Sequence, residues 1–268
     1  MNEILVCNPS YFDINYEINS WMSVDNGADP EKASRQWLNL TNQLLGCGAT
    51  LHYIEPDPRF PDMVFTANAG LVHSKTRTVI LSNFRHKERQ GEKQVFKDWF
   101  LNHDYRVVEL PEHICFEGEG DALFLGDTLF LGYGFRTDLS AHSIIANALG
   151  VDYVSCELVD PYFYHLDTCF MPMSDRVVYF KNAFSDYSQI SMIDKFIEIG
   201  TERGRLDILN VHKEQADEFI CNSVNVKSSI ITPTSSSHLS FAGYKQYVCN
   251  LSEFMKSGGA AKCLTLKL

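Results

Sequence analysis

Asp121–Gly132 reads DALFLGDTLFLG. Two arms rich in β-formers flank a short polar turn at Gly126-Asp127-Thr128, and that pattern predicts a β-hairpin. Outward along the chain the same design returns three times. Ala69–Ser82 reads AGLVHSKTRTVILS and turns near Lys75-Thr76; Thr168–Phe180 reads TCFMPMSDRVVYF and turns at Ser174-Asp175; Asn222–Pro233 reads NSVNVKSSIITP and turns near Lys227-Ser228. Counting Lys75, Asp127, Asp175 and Ser228, successive turns fall 52, 48 and 53 positions apart. A period of that size marks a propeller or an array.

Between the hairpins lie helix patterns. Arg89–Asn102 places Val95, Phe96, Trp99 and Phe100 on one face, and Leu139–Leu149 places Ile144, Ile145, Ala148 and Leu149. Asp186–Ile199 offers Ile190, Ile193, Phe196 and Ile197, with Gly200 as the expected stop. A short strand follows each helix, at Tyr105–Leu110, Tyr153–Leu158 and Leu206–Val211. The repeating unit is therefore strand, strand, helix, strand.

Upstream, Asp29–Leu45 forms a helix with Asp29 as N-cap, Pro30 in the first turn and Trp37, Leu40 and Leu44 facing inward, followed by strand Thr50–Ile54. Near the other end, Tyr247–Leu251 reads as a strand and Ser252–Lys256 as a helical turn. The strands Glu3–Asn8 and Lys262–Leu268 have no partners in sequence. Pairing them completes a fifth unit and removes two sheet edges at once. The expected fold is an α/β ring of five units, one domain over 1–268, closed by its two termini.

Composition is that of a globular chain: 268 residues, 45% hydrophobic and 21% charged. No apolar run approaches a membrane span of about eighteen residues. The first residues carry neither the basic region nor the apolar length of an export signal. Eight cysteines lie scattered without a CxxC pair, which argues against a zinc ribbon and for reduced thiols, hence a cytoplasmic location. A formal charge of −11 disfavours nucleic-acid partners and favours approach of a small cation. Self-association is left open.

In a closed ring the start of each hairpin faces a common axis. Those starts supply Asp62 to Asn68, Glu117 to Asp121, His165 with Asp167, Cys221-Asn222, and Cys263 behind the pair Gly258-Gly259. Each has an ordinary structural use: an acidic turn, a satisfied histidine, an Asx turn, a small buried thiol. Their recurrence at matching places is what points to a polar occupant, because a ring interior is otherwise filled with apolar side chains.

The segments PDMVFTANAG (61–70), FEGEGDALF (116–124), GYGFRT (132–137), HLDT (165–168) and SGGAAKCLTL (257–266), in this order, resemble the guanidino-group-modifying enzymes. That superfamily includes arginine deiminases, dimethylargininases, amidinotransferases and arginine dihydrolases. The resemblance spans the whole chain from Cys7-Asn8-Pro9. It implies a five-unit α/β propeller (pentein), the fold the repeat predicts independently. It further implies Cys263 as nucleophile, His165 as general acid/base and Glu117 as the carboxylate orienting the imidazole. Asp167 would grip the guanidinium with Asn68 and Asp121, and Arg136 would anchor the substrate carboxylate. Asp62 and Arg85 fall near positions that touch the amino-acid end. No metal or organic cofactor is implied; the partner is arginine or a close guanidino analogue.

One position sets the expected subfamily. Deiminases and dimethylargininases close the first motif with aspartate, where this chain has Asn68. An amide donates as well as accepts, so it can also hold a neutral ureido group. This wording resembles the arginine dihydrolases, which carry arginine to ornithine, carbon dioxide and two ammonia molecules. A citrulline-forming deiminase or dimethylargininase is the alternative within the class, and amidino transfer to an amine is another. A non-catalytic five-unit binding propeller, like the ribosome anti-association factors, is the alternative outside it, but it predicts loss of the thiol and imidazole that are present here.

Overall fold

All four hairpins form where their turn residues place them in the computed structural model, which describes residues 3–234 and 241–268. The chain opens with β1 (Glu3–Cys7) and β2 (Thr50–Ile54). Unit one follows with β3 (Gly70–His73), β4 (Thr78–Leu81) and β5 (Arg106–Glu109), and unit two with β6 (Ala122–Leu125), β7 (Thr128–Tyr133) and β8 (Tyr153–Glu157). Unit three holds β9 (Phe170–Pro172), β10 (Arg176–Tyr179) and β11 (Asp207–Asn210); unit four holds β12 (Val224–Val226), β13 (Ser229–Thr232) and β14 (Lys245–Val248). In every unit the first two strands pair antiparallel and the third joins the second in parallel. A parallel return requires a crossover, and helices Glu92–Asn102, Leu139–Leu149 and Asp186–Arg203 supply it in units one to three.

The fifth unit is stitched from both ends of the chain. β15 (Leu266–Lys267) lies antiparallel to β1, with Leu5 opposite Leu266, and β1 lies parallel to β2. Before each hairpin the chain makes a tight turn: Thr66–Ala69, Gly118–Gly120, Leu166–Thr168 and Ile220–Asn222. Residues 260–265 make the fifth, through Leu264 N–H to Ala260 O and Thr265 N–H to Lys262 O. Hydrogen bonds stitch these segments into a circle. Asn83 and Phe116 exchange backbone bonds between units one and two, and the Leu166 amide donates to Asp121 across the next seam. Asn222 donates to Asp167 O, Lys262 N–H to Asn222 O, and Ala67 N–H to Cys263 O at 3.1 Å, which returns the circle to unit one.

Several expectations are corrected. The terminal strand is two residues rather than seven, because Lys262–Thr265 is spent on the turn that carries Cys263. The helix expected over Arg89–Asn102 is broken at Gly91, where any Cβ would strike the Phe60 ring at 2.2 Å. The third helix runs through Gly200 to Arg203 and ends on Gly204, whose φ of 81° suits glycine. Its buried face is also different. Ser188, Met192, Phe196 and Ile199 pack inward, while Ile190 and Ile197 are 62% and 59% exposed. The segment carries two overlapping apolar stripes, and the stripe lying on Phe130, Phe170 and Tyr179 through Phe196 is the buried one. On Leu139–Leu149 the inward set is Ala141, His142, Ile145 and Ala146, so Ile145 alone of the expected four is fully covered.

Candidate active site

The Cys263 thiol sits on the fifth turn, 2% exposed, held from two neighbouring units. Asn222 presents its amide nitrogen to Sγ at 3.1 Å, while its oxygen accepts the backbone N–H of both Ala260 and Cys263. From unit three the Asp167 carboxylate accepts the thiol proton, Sγ to Oδ2 3.1 Å. Burial, and then the Asp167 charge, push the thiol well above its ordinary range, so the resting group is S–H. Burial likewise lifts Asp167 to about 6, against the pull of the Lys262 ammonium.

His165 stands on the third turn with Nε2 2.8 Å from Glu117 Oε2. Burial alone would raise the Glu117 carboxyl; the Arg136 guanidinium and the His165 bond more than offset it and hold it well below the usual carboxylate range. An ionised carboxylate only accepts, so Nε2 carries the proton and Nδ1 is left as the basic nitrogen. The imidazole faces Asn68 across Gly120. A Cβ at that glycine would fall 2.5 Å from Asn68 Nδ2 and 3.2 Å from His165 Nδ1. Glycine is what lets the two groups share the axis.

A small cavity of about 10 Å³ meets the thiol, walled by Asp62, Asn68, Arg89, Arg136 and Tyr164 and roofed by Ile18 and Asn19. The roof is tied down by Tyr16 to Asp62, Arg136 to Ile18 O, Asn19 to Ser257 O and Trp21 to Tyr162 O, all between 2.7 and 3.0 Å. Among the described residues, eight buried side-chain nitrogens and oxygens lack a hydrogen-bond partner. Four of them gather here: Asp62 Oδ1, Asn68 Nδ2, Ser257 Oγ and, beside the thiol, Asp167 Oδ1. Each such group costs about 1–3 kcal/mol, an expense that makes sense where a polar ligand completes the bonding.

Other expected residues sit differently. Asp121 spends both oxygens on the Leu166 amide and the Thr137 hydroxyl, and so locks a seam. Arg85 turns its guanidinium onto Asp138 and Arg136 O, away from the cavity, and reaches the site through its backbone N–H to Glu117. Arg136 lines the cavity but is engaged with Glu117 at 2.8 Å and Ile18 O. Sequence reasoning missed Arg89, which pairs with Glu92 and fixes Asn68 by donating to its Oδ1 at 2.8 Å. It also missed Tyr164, Ser257 and the roof. The irregular segment carrying Ile18 and Asn19 has no periodicity to betray it, and Arg89 belongs to no motif.

Five units around a buried Cys-His-Glu-Asp cluster define a guanidino-group-modifying propeller. The chain belongs to the dimethylargininase family: the model described as N,N dimethylarginine dimethylhydrolase, eukaryotic, matches residues 6–268. The bifunctional arginine dihydrolase/ornithine cyclodeaminase ArgZ of a Synechocystis strain is 44% identical over 99% of this chain and 37% of its own length. The chain therefore spans little more than a third of that relative. A dimethylarginine dimethylaminohydrolase of Mycobacterium tuberculosis is 36% identical over 97% of this chain and 83% of its own. Among solved structures, the N-terminal domain of ArgZ, a cysteine-to-serine mutant bound to substrate, superposes with a TM-score of 0.89 at 42% identity, covering 100% of this chain and 98% of that one.

Proposed function

We propose that this chain hydrolyses the guanidino group of L-arginine through a covalent Cys263 amidino-thioether and carries it to ornithine, carbon dioxide and two ammonia molecules, consuming two waters. The observation that carries the reading is the orientation of Asn68. Arg89 can only donate, so it fixes the amide with Oδ1 toward itself and Nδ2 toward Gly120 and His165. A guanidinium offers donors alone and has no use for that N–H. A ureido carbonyl, or an attacking water, does. Asp167 Oδ1 and Asp62 Oδ1 are the acceptors for the substrate's cationic ends, and Arg89 and Arg136 are the cations lining the cavity for its carboxylate.

In the proposed sequence the guanidinium beside Cys263 offsets Asp167 and draws the thiol toward thiolate. The thiol proton passes to His165 as Sγ attacks the guanidino carbon, and the imidazolium hands it to the departing nitrogen, which leaves as ammonia. The same imidazole then takes a proton from water as it attacks the thioether carbon, and returns it to Sγ as the C–S bond breaks and frees the ureido product. A second round at the ureido carbon, held by Asn68, completes the hydrolysis. The relatives support both the substrate and the two-step outcome, since ArgZ is itself described as an arginine dihydrolase.

The test is to incubate the protein with L-arginine and quantify ornithine, citrulline and ammonia. Two ammonia per ornithine is expected, with no turnover in Cys263→Ala and a shift toward citrulline in Asn68→Asp. Citrulline as sole end product would move the chain to the deiminase reading. Turnover confined to methylated arginines would make it a dimethylargininase, the reading that the family match favours next.

A further inference from the structure

One residue leads into each of the first four tight turns: Phe65, Glu117, His165 and Phe219. The first three belong to the site. Phe65 lines the cavity beside Cys263, and Glu117 and His165 form the hydrogen-bonded pair. Their φ angles are −83°, −121° and −122°, open to any residue. Phe219 departs from the pattern, with φ 60° and ψ 32°. Three other described non-glycine residues have positive φ, namely Arg77, Asp104 and Lys227, and all are polar and exposed. Phe219 is bulky and 1% exposed, so its left-handed backbone persists only because its surroundings hold it there.

One of those surroundings is the roof. The Phe219 ring lies on Trp21 with 4.8 Å between centroids. Trp21 is clasped on two further sides. Its Nε1 donates to Tyr162 O at 2.7 Å, and a Cβ on Gly258 would fall 2.8 Å from its Cδ1.

The backbone of Phe219 leads the other way, to the thiol. Its carbonyl accepts the Asn222 N–H at 2.9 Å and so closes the fourth turn. Asn222 in turn gives Nδ2 to Cys263 Sγ at 3.1 Å. That donor favours the thiolate, against burial and the Asp167 charge. Contacts therefore run unbroken from roof to nucleophile: Trp21, Phe219, Asn222, Cys263.

We propose that Phe219 is a positioning residue for the nucleophile: Trp21 of the roof holds its backbone left-handed, and that backbone aims the Asn222 amide at Cys263. The donor is then aimed only while the roof is down. This rests on Cys263 being the nucleophile of the reaction proposed above.

The test reads the thiol without turnover. 2-Chloroacetamidine carries an amidinium to offset Asp167 and lacks the amino-acid end that the roof covers. Its alkylation of Cys263, with loss of chloride, is followed against pH on the Cys263 peptide by mass spectrometry, which sets aside the partly exposed Cys47 and Cys115. The charged and titratable groups around the thiol are Asp167, His165, Tyr164, Asp62, Arg89 and Arg136, and no variant alters them. In Trp21→Ala the midpoint of the maximal alkylation rate should rise by about one pH unit, and kcat for arginine at neutral pH should fall about tenfold with it. Opening the site to water alone moves the midpoint down, because hydration favours the charged form. Trp21→Phe keeps a ring on Phe219 and should stay within about 0.3 unit of the parent. Glycine takes the left-handed region without strain, so adding Phe219→Gly to Trp21→Ala should restore the midpoint to within about 0.3 unit. An unchanged or lowered midpoint in Trp21→Ala, or no recovery in the double variant, would overturn the role of Phe219. Should the double variant fail to fold, Trp21→Ala against Trp21→Phe decides alone. If the midpoints move as expected but the parent releases nothing from arginine, the reaction is overturned and the positioning of the thiol stands.

Discussion

Asp167 and Asp121 are both buried carboxyls lifted to about 6, Asp167 with Lys262 pulling against burial and Asp121 with His165 doing so. They differ in what their oxygens do. Asp167 keeps Oδ1 free beside the thiol, whereas Asp121 has both oxygens bonded within the protein. Protonation removes the negative charge that Asp167 would offer a guanidinium, so kcat/KM for arginine should fall roughly tenfold per unit as pH drops below about 6. A pH profile flat to 5 would remove Asp167 from that role. Asp121→Asn can keep both bonds, its oxygen accepting from Leu166 and its amide donating to Thr137, while discarding a buried charge. The folded pKa is raised, so the stability linked to holding this proton is present below the unfolded carboxylate value and lost as pH rises through about 6. At neutral pH the variant should therefore be as stable as the parent or gain up to about 2 kcal/mol by urea unfolding. A loss of several kcal/mol would mean the charge itself holds the seam.

Helix Asp186–Arg203 shows what an element's own pattern leaves undecided. Two apolar stripes share Phe196, and propensity does not choose between them. Packing does, because Phe196 meets the hairpin aromatics and Met192 and Ile199 join the same buried cluster, while Ile190 and Ile197 meet solvent. Truncating Phe196 to Ala should cost about 3–5 kcal/mol of unfolding free energy. Ile190→Ser should stay within about 0.5 kcal/mol. Equal effects in denaturant melts would reverse the assignment of the buried face.

At the scale of the whole molecule, the ring is closed by the shortest of the described strands. β15 offers two residues to β1, backed by Leu268 N–H to Glu3 O at 2.9 Å. Leu266 is fully buried against β1 and the first unit's core. Leu266→Ala should cost about 2–5 kcal/mol. Because the turn that carries Cys263 runs straight into this strand, activity in the variant should fall before the global unfolding transition is reached. Loss of activity and of structure at the same denaturant concentration would show that closing the ring and positioning the thiol are one event.

The chain's own periodicity determined the five-unit architecture, since hairpin turns about fifty residues apart, each with polar residues at its start, specify a repeat before any contact is made. The identity of Cys263, His165, Glu117 and Asn68 as residues of interest was legible for the same reason: they stand at equivalent places in successive units. Which atoms of those residues face a ligand was decided only when the ring closed. The orientation of Asn68 depends on Arg89, and the anchoring of the thiol depends on Asn222 from the neighbouring unit. Arg85 and Asp121 were drawn elsewhere by partners 53 and 45 residues away. Local pattern fixes where the chain turns; hydrogen bonds between distant segments fix where a side chain points, and those exist only in the assembled molecule.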